Sequence, residues 1–91
     1  MATPDPVLRA AIGAWLRERL ISDEYGVAPE HFTTGSELLE DLELSSLDVL
    51  ALELDACQHY RVEVPQGAFL GRDVAAIAEL LEERVQAARS A

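Results

Sequence analysis

Two adjacent serines, Ser45 and Ser46, stand where an apolar pattern with helical spacing begins, and Asp48 follows Ser45 by three residues. That spacing is a capping box in which Ser45 is the N-cap and Asp48 takes the place of the usual Glu or Gln. A helix start leaves backbone N–H groups unpaired and carries the positive end of the helix dipole. A phosphodiester hung on Ser46 would therefore sit in a favourable field. The same pair also reads as ordinary capping residues, and the dipeptide alone does not choose between these roles.

The other reactive side chains do not assemble into a site. Ser46 and His59 lie on one predicted helix, 13 residues apart, or about 20 Å at 1.5 Å per residue, too far for a nucleophile and its base. Cys57 and His59 point to nearly opposite sides of that helix, which supports neither a metal pair nor a Cys–His nucleophile. Cys57 reads as a small packing residue and His31 as an exposed loop histidine. Asp41, Glu43 and Ser45 have the spacing that opens a calcium loop, but Ser46 stands where that loop needs Gly and Leu52 where it needs Glu. No catalytic residue and no metal ligand set emerges.

Three helical patterns would position these residues. Asp5-Pro6 pairs an N-cap residue with proline at the first helical position, and Leu8, Ile12, Trp15, Leu16 and Leu20 recur at helical spacing. This predicts a helix over 6–22 with Trp15 in the core. Gly26, Pro29 and the 33–36 stretch predict a long loop over 23–43 that returns Leu38, Leu39 and Leu42 to the core. The second helix should run to about Tyr60, and residues 66–70 have the length of a single helical turn. Asp73 can cap a last helix with Val74, Ile77, Leu81, Val85 and Ala88 facing inward. Val62-Glu63-Val64 alternates like a strand but is too short to have a sheet partner. The prediction is an all-α fold, a small bundle of three main helices plus one short helix, in a single domain spanning 1–91.

Around the middle helix, at about 100° per residue, two apolar faces appear. Val49, Leu52, Ala56 and Tyr60 form one, and Leu47, Leu50, Ala51 and Leu54 the other, with Asp48, Asp55 and His59 along one edge and Glu53 on the other. Either the second stripe is a docking surface ringed by acids, or the long loop or last helix covers it.

Composition narrows the functional classes. The 91 residues include 17 Asp+Glu and 7 basic residues, all arginine, for a formal charge of −10, and 49% are hydrophobic. This suits one modest core and disfavours a deep, walled active site, nucleic acid and anionic membranes. Partners should carry positive patches. One cysteine permits no internal disulfide. No run approaches the ~20 apolar residues of a membrane span and the first residues lack a secretory pattern, so the chain reads as soluble and cytoplasmic.

Asp41-Leu42-Glu43-Leu44-Ser45-Ser46-Leu47-Asp48 resembles the acyl carrier protein signature around the phosphopantetheine-bearing serine. The resemblance continues through the end of the second helix, an aromatic at Tyr60, a short linker and the apolar-acid-apolar-Pro close at Val62-Glu63-Val64-Pro65. It is strongest over residues 38–65. The family usually has Gly where this chain has Glu43, Asp where it has Ser45, and often Gly where it has Arg61.

The resemblance implies that Ser46 receives 4′-phosphopantetheine from coenzyme A through a phosphopantetheinyl transferase and then bears acyl groups as thioesters. It implies a right-handed, mostly antiparallel bundle whose second helix, with Leu47, Asp48, Leu50 and Leu54, is read by partners. Those partners would be acyl-loading and acyl-transfer or condensing enzymes with basic patches, and the carrier, a monomer, would perform no chemistry itself. Ser45 in place of Asp, and only three acids on the second helix, tilt this towards a discrete carrier of a polyketide or related pathway. The alternatives are a peptidyl or aminoacyl carrier, and an unmodified acidic adaptor with a carrier-like fold.

Overall fold

The structure is a computed structural model that describes residues 5–90. Among them are three α-helices, α1 (Pro6–Ile21), α2 (Ser46–Tyr60) and α3 (Val74–Ser90), and a single 3-10 turn at Pro29–His31. The small all-α bundle is thus as its sequence predicts. Asp5 caps α1 by accepting the Leu8 N–H at 3.1 Å, ahead of proline in the first turn. Residues 66–70 do not form the anticipated helical turn. They make successive four-residue turns, with Ala68 N–H donating to the Pro65 carbonyl and Leu70 N–H to that of Gly67. Gly67 and Gly71 adopt φ of 85° and 75°, left-handed values that interrupt any helix there.

The core is built from Ile12, Leu16 and Leu20 of α1, Val49, Leu52 and Ala56 of α2, and Ile77 and Leu81 of α3, all essentially inaccessible to solvent. The long connection 22–45 contributes Leu38 and Leu44, whereas Leu39 and Leu42 are only partly buried. Its position is fixed by backbone pairing with the start of α3, where Val74 N–H donates to the Ser36 carbonyl and Ala75 N–H to that of Thr34. Where α1 meets α2, Trp15 faces His59 and Arg19 faces Asp55, so the two helices run antiparallel. A fork from Arg9 to Glu82, both bonds 3.0 Å, joins α1 to α3 and satisfies a carboxylate that is otherwise buried.

Two inward assignments are corrected. Trp15 is only partly buried, because it lies about 80° from the centre of the stripe made by Leu8, Ile12, Leu16 and Leu20. Ala88 is exposed although its angle on α3 matches the stripe, since it falls in the last turns, facing an open hollow shared with Arg61 and Val62.

Two non-glycine residues hold left-handed backbone, Glu43 at φ 56° and Arg61 at φ 55°. Arg61 caps α2 in this conformation and turns Val62 back so that its N–H reaches the Cys57 carbonyl at 3.0 Å. A left-handed residue other than glycine costs about 1–2 kcal/mol, partly offset because glycine loses about 0.5–1 kcal/mol more on folding. Glu43→Gly with Arg61→Gly is therefore expected to stabilise the chain, raising the melting temperature by at least about 4 °C. A fall in thermal melting would show that the side chains at these positions do more than tolerate the turn.

Candidate functional site

The start of α2 forms the capping box its sequence predicts. Ser45 Oγ accepts the Asp48 N–H at 3.1 Å, and the Asp48 carboxylate accepts the Ser45 N–H at 3.2 Å. Both bonds hold Ser45 in extended backbone and release the chain into helix at Ser46. Ser46 is the first helical residue and is exposed. Among the described residues its hydroxyl has no hydrogen-bond partner, and neither its N–H nor that of Leu47 is taken by protein. With the N-cap role filled by Ser45, the Ser46 hydroxyl is left free for chemistry. A phosphate ester on it would lie beside those donors at the positive end of the helix. The residues present therefore fit such a group, with the Asp48 carboxylate turned towards Ser45.

Leu47 and Leu54 project into solvent, at 76% and 59% exposure. Leu50 is half-buried and Ala51 exposed, whereas Val49, Leu52 and Ala56 face the core. Of the two arrangements left open by the helical wheel, the structure has the second stripe uncovered. Leu50, Leu54 and Cys57 form one wall of a groove of about 440 Å³, and Val64 and Gln66 the other. Asp48 is partly covered and engaged in the cap, so it braces the helix start while lining the stripe's edge.

Charge is concentrated around this helix. Residues 20–60 contain ten acids and no arginine or lysine, whereas the rest of the chain has seven acids and seven arginines. The whole formal charge of −10 thus resides in the long connection and α2, the segment that contains Ser46. This segregation was readable in the sequence by counting charge in windows.

Both edges of α2 are more structured than their sequence implies. On one, Asp55 accepts hydrogen bonds from Arg19 and, at 2.7 Å, from the Tyr25 hydroxyl. His59 stacks on Trp15 with ring centroids 4.8 Å apart, and Tyr60 meets both rings edge-on. This aromatic cluster on the α1–α2 seam replaces the buried tryptophan the sequence predicts. On the other edge Glu53, which reads as a boundary residue on the wheel, is buried, and its two oxygens accept the Gly67 and Phe69 N–H groups at 3.0 Å each. No local signal marks Glu53, because its donors lie 14 and 16 residues away.

Ser46 and His59 occupy opposite ends of α2, and His31 is exposed on the 3-10 turn. Burial pushes the Cys57 thiol above its ordinary pKa, so the thiol is a poor nucleophile. Burial followed by the Asp55 hydrogen bond raises Tyr25, and burial raises Tyr60. Both phenols thus keep their protons in the fold beyond about pH 10, where unfolded tyrosine releases them. Folded stability contributed this way is complete below that pH and is lost as pH climbs further. An alkaline titration should show tyrosinate absorbance rising together with loss of helical circular dichroism. Tyrosinate forming at about pH 10 while the helices persist would refute this.

No helix among the described residues is long and apolar enough to cross a membrane. Comparison with protein-family models, with curated proteins and with solved structures finds no match to this chain.

Proposed function

We infer that the chain is a discrete acyl carrier protein, with Ser46 as the attachment point for 4′-phosphopantetheine. The observation that carries this reading is the free, exposed hydroxyl of Ser46 at the first position of α2, inside the signature-like stretch 41–48 and beside unpaired N–H groups. A second observation agrees with it. Both positions where carriers commonly have glycine, Glu43 and Arg61, adopt left-handed backbone, the conformation glycine favours, which supports the reading.

When bound, the group would supply a terminal thiol for thioester formation. The chain's own residues present and address it. Ser45 and Asp48 fix the helix start so that Ser46 stands clear of the surface, Leu47 and Leu54 offer apolar contact, and the surrounding acids draw basic partners. Such partners would be a phosphopantetheinyl transferase and enzymes that load and remove acyl groups in a polyketide or related pathway of the cytoplasm. The carrier itself is not an enzyme.

Intact mass after incubation with coenzyme A and a broad-specificity transferase should rise by one phosphopantetheinyl group, and Ser46→Ala should show no gain. If several transferases leave the wild-type mass unchanged, the reading fails. An unmodified acidic adaptor then takes its place, favoured by Ser45 standing where carriers usually have Asp.

A further inference from the structure

We propose that Glu43 is the charge by which a basic partner recognises Ser46. The role rests on the reading of Ser46 as the modified residue. An enzyme that joins a group to the Ser46 hydroxyl must bring its own atoms to the start of α2, so it covers the residues on either side. Within five residues of Ser46 along the chain there are three acids, Asp41, Glu43 and Asp48. Two of them are held by their own segment. Asp41 accepts the Glu37 N–H at 2.8 Å and Asp48 the Ser45 N–H at 3.2 Å. Glu43 is exposed, and among the described residues its carboxylate has no hydrogen-bond or ion-pair partner.

The backbone at Glu43 makes that free carboxylate informative. Leu44 N–H donates to the Leu38 carbonyl at 3.0 Å and the Leu44 side chain is buried, so the chain must turn back sharply just before α2. The turn puts Glu43 at φ 56°, a left-handed value that glycine adopts freely and other residues adopt at a cost. A side chain held in strained backbone and bonded to nothing in the protein is placed for a contact outside it. Three residues span at most about 11 Å, so the carboxylate is within reach of a partner seated at Ser46. Residues 20–60 hold ten acids and no arginine or lysine, so a partner drawn to this segment carries the opposite sign.

The kinetics of phosphopantetheine transfer from coenzyme A by a broad-specificity transferase, followed by intact mass, test this role. At low salt, Glu43→Gln and Glu43→Gly should each raise KM roughly five-fold with kcat unchanged, and the deficit should vanish at high salt where exposed charges are screened. Glu43→Asp, which keeps the charge and tolerates left-handed backbone, should keep the wild-type KM. Glu40→Gln removes the same charge farther along the chain from Ser46 and should shift KM by about two-fold or less. Thermal melting separates recognition from folding, since Glu43→Gly should melt no lower than wild type. No transfer to the wild type overturns the carrier reading and the proposal with it. Transfer to the wild type with an unchanged KM in Glu43→Gly overturns the proposal alone. An equal rise in Glu40→Gln does the same, by reducing Glu43 to a share of the net charge.

Discussion

Phe69→Ala should destabilise the chain by about 3–5 kcal/mol, the largest effect expected of any single truncation here. Phe69 is the largest fully buried side chain, and it comes from the 61–73 connection instead of a helix. Its removal deletes the apolar transfer energy of the ring and leaves a cavity in the core that its neighbours close only by moving. Small domains are stable by about 5–15 kcal/mol in total, so the variant stands near the edge of folding. The melting temperature should drop by roughly 12 °C or more at about 4–8 °C per kcal/mol. Urea unfolding followed by helical circular dichroism measures this directly. A loss below about 1 kcal/mol would mean that the ring is not seated in the core in solution.

The same residue explains where sequence reading ended. The three helices are legible because Leu8–Leu20, Val49–Ala56 and Val74–Val85 repeat at helical spacing, and because Asp5, Ser45 and Asp73 are capping residues whose bonds are local. The uncovered stripe on α2 is legible as an unassigned second apolar face. Phe69 carries no such signal, since Pro65, Gly67 and Gly71 erase periodicity around it and its backbone N–H is held by a carboxylate on α2. Trp15 misleads in the opposite direction. Its residue type favours burial, but its angle on α1 sets it at the seam, where His59 and Tyr60 give the ring company without enclosing it. Local chemistry is written in neighbouring residues, while the Glu53 clasp and the Asp55–Tyr25 bond are products of tertiary approach.

Replacing Leu47 and Leu54 together by glutamate should leave the fold intact and suppress partner recognition. Both side chains are largely in solvent, so little burial is lost, and exposed substitutions of this kind change stability by about 0.5 kcal/mol or less each. Leu50 is a poorer probe because it is half-buried. Apolar anchors at the centre of an interface cost about 2 kcal/mol or more when lost, equivalent to a roughly 30-fold weakening. The two introduced charges act oppositely on encounter, since extra negative charge attracts a basic partner at low salt. On the carrier reading proposed above, transfer of phosphopantetheine to Ser46 should therefore fall through a raised KM at every salt concentration, with the deficit largest at high salt where steering is screened. Loss of helical circular dichroism would instead place this stripe in the core, and unchanged transfer would move the recognition surface off α2.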